Sequence, residues 1–167
     1  MMPNSRIDIG KMATGTAWMA SRGGSSSRRR RPPVSEPLSP ELEELVERAR
    51  SARERAYAPY SKYFVGACVR SASGALFAGC NVENASYGAT ICAERNAIAR
   101  MVESGERHAI AVAVFTQGPT PAMPCGICRQ VLWELGRAET VVVAACPGAV
   151  RVTTVGALLP EPFELER

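Results

Sequence analysis

The residues of this chain with the clearest chemical potential are Cys92-Ala93-Glu94 and, further along, Pro124-Cys125-Gly126-Ile127-Cys128. Together they offer three soft metal ligands and one carboxylate that need not be a ligand. Zinc used in catalysis takes three protein ligands and keeps its fourth position for water, whereas a structural zinc site closes that position with another Cys or His. The remaining candidates lack ligand-like spacing. Cys68, Cys80 and Cys146 fall in strand-like segments and read as small buried hydrophobes. His108, the single histidine, follows Glu106-Arg107 at the end of a helical segment and reads as a solvent-facing loop residue. Cys125-x-x-Cys128 alone serves equally for zinc knuckles, redox dithiols and plain helix starts. Cys92 and Glu94 favour the catalytic metal, since a dithiol needs neither. Glu94 is two residues from a thiolate, within reach of a water activated there. Its bland reading is an ordinary acidic residue in a helix's first turn.

Both halves of this constellation open helical patterns. Ala93, Ala97, Ile98 and Met101 form one stripe, and Val131, Leu132 and Leu135 continue a second from Cys128. The cysteines therefore sit at helix N-termini, where free N–H groups and the helix dipole favour a thiolate by roughly 0.3–1 kcal/mol per helix. Three thiolates also donate charge and blunt the acidifying power of a metal. Arg95, if its guanidinium hydrogen-bonds a ligand sulfur, would offset that, the alternative being a surface arginine.

The elements that must carry these segments follow in order. Ser39-Pro40 suits a helix start, with an apolar stripe at Leu42, Leu45, Val46, Ala49, Ala52 and Ala56, and Ala58-Pro59 as its stop. Tyr63 to Arg70 and Ala75 to Val82 read as a hairpin around Ser71-Ala72-Ser73-Gly74. After the Cys92 helix come a strand at Ile110 to Thr116, a Gly/Pro-rich loop, the Cys128 helix ending at Gly136, strands at Val141 to Ala145 and Val150 to Thr153, and a short helix at Val155 to Leu159. This alternation predicts an α/β fold, a three-layer α/β/α sandwich around a mixed sheet of about five strands.

The length suits one domain with a tail. The net charge of +4 divides unevenly along the chain. Residues 1–37 carry Arg6, Lys11, Arg22 and Arg28 to Arg31 against Asp8 and Glu36, leaving thirteen basic and fourteen acidic side chains in residues 38–167. The folded part therefore lacks the charge signature of a nucleic-acid binder. Residues 1–37, rich in Ser, Gly, Pro and Arg, are expected to be a disordered basic extension, with 38–167 the catalytic domain. A dispensable extension and an organelle transit peptide both fit that composition. The longest apolar runs are too short to span a bilayer, and six cysteines without a strong secretory signal point to a reducing compartment, so a cytoplasmic location is expected.

Cys92-Ala93-Glu94-Arg95 with Pro124-Cys125-Gly126-Ile127-Cys128-Arg129-Gln130 resembles the cytidine deaminase family, in its small homotetrameric branch. Val65-Gly66-Ala67, Gly79-Cys80-Asn81-Val82-Glu83-Asn84-Ala85 and Leu158-Leu159-Pro160 are similar to that family's segments, so the likeness runs from about Leu42 to Phe163. It implies one zinc per chain on Cys92, Cys125 and Cys128, with Glu94 as catalytic acid/base. It further implies that Asn81 and Glu83 bind the ribose and that Ala93 and Glu94 read the pyrimidine edge. Tyr63 stands where the family has the Phe of Phe-Pro-Val-Gly-Ala, and the Pro is replaced by Phe64. Tyr87 and Phe163 would help complete a neighbouring subunit's pocket in a homotetramer.

The expected reaction is hydrolysis of cytidine and 2′-deoxycytidine to uridine and 2′-deoxyuridine, in pyrimidine salvage. A deaminase of nucleoside antibiotics would share the metal motifs without needing Asn81-Val82-Glu83-Asn84. A nucleic-acid-binding or editing deaminase would be motivated by Arg28 to Arg31, and a non-catalytic zinc module would not need Glu94.

Overall fold

The computed structural model describes residues 37–165, so the expected N-terminal extension lies outside the described residues apart from its last residue. Helix α1 spans Pro40–Arg53 and begins at Ser39, whose carbonyl takes the first helical bonds from the Leu42 and Glu43 amides. Its hydroxyl does not cap the helix. The predicted stripe is buried at Leu45, Val46, Ala49 and Ala52. The helix ends short of the predicted stop because tertiary pairing takes over. Tyr57 leaves it to bridge Val82, donating its N–H to the Asn81 carbonyl and accepting from the Glu83 amide.

Strands β1 (Val65–Ser71) and β2 (Leu76–Cys80) form the expected hairpin, with Gly74 at φ 91° in its turn. Helix α2 (Ala93–Glu103), β3 (Ala109–Thr116), α3 (Gly126–Leu135), β4 (Val141–Cys146), β5 (Ala149–Thr154) and the short α4 (Val155–Leu158) complete the fold. The sheet order is β2-β1-β3-β4-β5. Only β3 and β4 run parallel, joined by a crossover through α3, and the other neighbours are antiparallel. The sheet is thus mixed and five-stranded, as the alternation of elements predicts.

Strand alternation divides the apolar residues between two faces. Ala67, Val69, Val112, Val114 and Val142 pack with Ala93, Ala97, Ile98 and Met101 of α2 and Leu132 of α3. Cys68, Ala111, Ala113, Phe115 and Val143 pack with Leu45, Val46 and Ala49 of α1. The layers lie close. A Cβ on Gly66 would stand 1.9 Å from the Ala49 carbonyl oxygen, and one on Gly79 2.5 Å from the Ala97 amide nitrogen, so bare backbone is needed where α1 and α2 cross the hairpin. Helices α2 and α3 therefore share one face of the sheet with their N-termini beside the end of β3, and the chemistry gathers there.

Candidate active site

Cys92 and Cys125 are the N-cap residues of α2 and α3, in extended backbone, and neither side chain caps its own helix. Their carbonyls start the helices, accepting from Asn96 at 3.2 Å and Arg129 at 3.0 Å, while both sulfurs stay free for another partner. Cys128, in the first turn of α3, is buried. The Sγ atoms of Cys92, Cys125 and Cys128 lie within 4.8 Å of one another, and those of Cys92 and Cys125 are 3.8 Å apart. Sulfurs about 2.3 Å from a tetrahedral zinc would be separated by roughly 3.8 Å. The cluster therefore fits the ion in donor type and spacing.

The sulfurs compete for charge. The Cys92 thiol is pulled down to about 5, first by a hydrogen bond from Cys128 and then by Arg95 and Cys125, against the opposing effect of burial. Cys128 is pushed up because it keeps the proton it donates to Cys92, with burial and Glu94 adding to the rise. Arg95 stands where the sequence placed it: its Nη2 donates to the Thr90 carbonyl at 2.8 Å and points at Cys92 Sγ from 4.0 Å.

Glu94 is buried, and its carboxyl is raised above the usual carboxylate range, chiefly by desolvation and secondarily by the neighbouring Cys92. Burial on this scale fits a proton carrier better than a solvated first-turn charge. Glu94 lines a cavity of about 200 Å³ together with Cys92, Ala93, Cys125, Tyr63 and Asn81. With water occupying about 30 Å³ of liquid, that is the space of about six or seven waters, the scale of one heterocyclic ring.

Two braces hold this arrangement. Asn96 Nδ2 donates to the Cys80 carbonyl at 2.8 Å and ties α2 to β2. Arg129 donates to the carbonyls of Pro124 at 2.8 Å and Leu158 at 3.0 Å, fixing the loop before Cys125 against α4.

The remaining predicted site residues divide. Asn81 is buried and structurally committed: Oδ1 accepts from the Val65 amide and Nδ2 donates to the Tyr63 carbonyl, both at 2.9 Å. Glu83 lies in an adjoining hollow lined by Tyr60, Ser61, Asn84, Tyr87 and Thr90, and Thr90 also borders the Glu94 cavity. Its carboxylate accepts from the Ser61 hydroxyl and from the amides of Tyr60 and Ser61. The Ser61 hydroxyl is the main influence holding its pKa below the usual range. Tyr63 forms a rim at 47 % exposure. Tyr87 and Phe163 are exposed at 79 % and 67 %, although the Phe163 backbone exchanges two hydrogen bonds with the Gln130 amide. Neither aromatic lines the Glu94 cavity.

Away from the site, His108 is exposed, and Cys68 and Cys146 are buried as expected. Cys80 is not a core residue: it is half-buried at the end of β2, with its sulfur 3.4 Å from the Arg55 carbonyl. Sequence reasoning missed Thr90, Thr116, Ala122 and Met123 as cavity-lining residues. Strand and loop positions reach the cavity only through tertiary pairing, and no local pattern marks them.

Residues 39–145 match the family model described as the cytidine and deoxycytidylate deaminase zinc-binding region. A cytidine deaminase of Halalkalibacterium halodurans is 44 % identical over 123 residues, spanning 73 % of this chain and 93 % of that protein. One of Mycobacterium tuberculosis is 40 % identical over 118 residues, spanning 71 % and 86 %. The crystal structure of cytidine deaminase from Burkholderia pseudomallei superposes with a TM-score of 0.70 at 48 % identity, covering 72 % of this chain and 98 % of that one. The cytidine deaminase structure from Bacillus anthracis, at 16 % identity and a TM-score of 0.57, shares the fold.

Proposed function

The chain belongs to the cytidine and deoxycytidylate deaminase family, and on that footing we propose that it is a zinc-dependent enzyme hydrolysing cytidine and 2′-deoxycytidine to uridine and 2′-deoxyuridine with release of ammonia. The observation that carries this reading is one cavity holding the buried Glu94 carboxyl beside two of the three clustered cysteines, Cys92 and Cys125.

Cys92, Cys125 and Cys128 would hold the ion, which when bound would supply the Lewis acidity that activates water at neutral pH. The helix N-termini and Arg95 temper the charge of three thiolates so that this acidity survives. Glu94 accepts a proton from the attacking water and passes it to N3 of the base as the water oxygen bonds to C4. It then takes the second proton from the new C4 hydroxyl and delivers it to the exocyclic nitrogen; the C4–N bond breaks with its electron pair going to nitrogen, the C4–O bond becomes the carbonyl, and ammonia departs. A carboxyl whose proton affinity is raised by burial is suited to this exchange. The Ala93 backbone and Tyr63 wall the base. Asn81 shapes that wall from behind, and Glu83, in the hollow that adjoins the cavity at Thr90, binds the attached ribose.

The same reading extends to assembly and setting. Tyr87 and Phe163, too exposed for a finished surface, would be covered by identical chains in a homotetramer, each lending side chains to a neighbour's pocket. All six cysteines are free, and among the described residues no helix is long and apolar enough to cross a membrane, which suits a cytoplasmic role in pyrimidine salvage. Ammonia release measured across a nucleoside panel, with zinc quantified on the same sample, tests the reading. Turnover of cytidine and deoxycytidine is expected, and zinc-replete protein that releases no ammonia from either would overturn it.

A further inference from the structure

Three hydroxyl-bearing side chains are buried among the described residues, those of Ser71, Thr116 and Thr140. Thr140 donates to the Ala109 carbonyl at 3.0 Å, and Ser71 pairs with Ser73 at 2.9 Å. Thr116 is 0 % exposed and its Oγ1 has no partner. A buried hydroxyl without a hydrogen bond destabilises the free protein, so its presence calls for a partner that arrives from outside.

Its position indicates which partner. Thr116 ends β3 opposite Val65 of β1. Strand alternation puts it on the face of Val112 and Val114, toward α2 and α3, where it lines the Glu94 cavity. The other polar groups there are already engaged or lie at the mouth: the Asn81 amide is bonded to backbone at both atoms, and Tyr63 is half-exposed at the rim. Glu94 and Thr116 are the deep polar groups.

Resting on the reaction proposed above, we infer that the Thr116 hydroxyl is a substrate contact, accepting a hydrogen bond from the exocyclic amino group of the pyrimidine and from the ammonia it becomes. Attack at C4 beside Glu94 forces the N3–C4–amine edge to the bottom of the cavity. Glu94 serves the water, N3 and the proton delivered to the leaving nitrogen, which leaves the amine's own N–H donors to be met. A hydroxyl oxygen can accept one of them without exchanging any proton, so the balance of the hydrolysis is unchanged.

The test compares Thr116→Val, Thr116→Ser and Thr116→Ala in the full-length, zinc-loaded chain. Thr116→Val keeps the shape and removes the hydroxyl. It should retain zinc and melt at the wild-type temperature or higher, yet lose roughly ten- to a hundred-fold in kcat/KM for cytidine. Thr116→Ser should recover most of that loss. If the Val variant fails to fold, the Ser and Ala pair isolates the hydroxyl, and Ser should exceed Ala by the same factor. A Val variant within two-fold of wild type, or Ser no better than Ala, overturns the inference while wild-type ammonia release leaves the parent reading standing. A wild-type protein inactive on cytidine defeats the parent reading instead.

Discussion

The sulfurs of Cys92 and Cys125 lie 3.8 Å apart although the two residues are 33 positions apart in the chain, because each stands at the N-cap position of a different helix and both helices pack on one face of the sheet. Cys128 joins them from the first turn of α3, buried where Cys125 is exposed. The cluster is thus assembled by the packing of α2 against α3. Replacing Cys92, Cys125 or Cys128 by Ala should each remove bound zinc, leaving well under half an equivalent per chain by metal analysis. Cys68→Ala and Cys146→Ala should keep it, and full zinc in Cys92→Ala would refute the ligand assignment.

Thiol chemistry should follow the same division. Burial raises Cys68 from its ordinary value of 9.0 to about 11, whereas Cys92 is lowered to about 5. In zinc-stripped protein at pH 7, an alkylating reagent should label Cys92 rapidly and spare Cys68 until the chain unfolds. A group whose folded pKa is raised favours the fold below its unfolded pKa. Cys68's contribution is therefore intact below pH 9 and fades as pH rises toward 11. Mass-spectrometric mapping of labelled sites checks the first claim and melting curves at pH 8 to 11 the second.

Gly79 lies where β2 meets α2, and a Cβ there would also stand 2.7 Å from the Ala93 carbonyl oxygen. Gly79→Ala must push α2 outward and carry Cys92 and Glu94 with it. It should cost about 1–3 kcal/mol in denaturant unfolding and lower activity more than stability alone explains. Gly74→Ala, in an open turn at φ 91°, should be strained locally yet leave turnover and zinc content near wild type.

Asn81 braces the start of β1 from both amide atoms. Asn81→Ala leaves the Val65 N–H without its acceptor and should destabilise by about 1–3 kcal/mol, seen as a drop of several degrees in melting temperature. Asn81→Asp keeps that acceptor and loses the donor to Tyr63, so it should lose less. Equal stability of Asn81→Ala and wild type would show that the brace contributes nothing.

The cysteine cluster and the buried carboxyl beside it were legible in the sequence because their spacings are local. Cys92 and Glu94 are fixed by one helix start, Cys125 and Cys128 by another, and Pro, Gly and apolar periodicity mark where those helices begin. What escaped depends on pairing between distant segments. The end of α1 moved because Tyr57 found a bridge to Val82, and Asn81 is a brace because β1 begins beside it. Thr116 faces the cavity only through its register opposite Val65. Cys80 read as core because its strand is apolar, yet β2 is an edge strand and half-buried throughout.

Glu94→Gln is the sharpest test of the proton transfers proposed for Glu94, since the amide keeps the shape and cannot accept them. Initial rates of ammonia release from cytidine should be measured for both proteins, with zinc content and melting temperature taken on the same samples. The variant should carry about one zinc per chain and melt at an unchanged or higher temperature, with kcat lowered by about 10²–10⁴-fold. A zinc-loaded Glu94→Gln protein that retains kcat within a few-fold of wild type would contradict that role for Glu94.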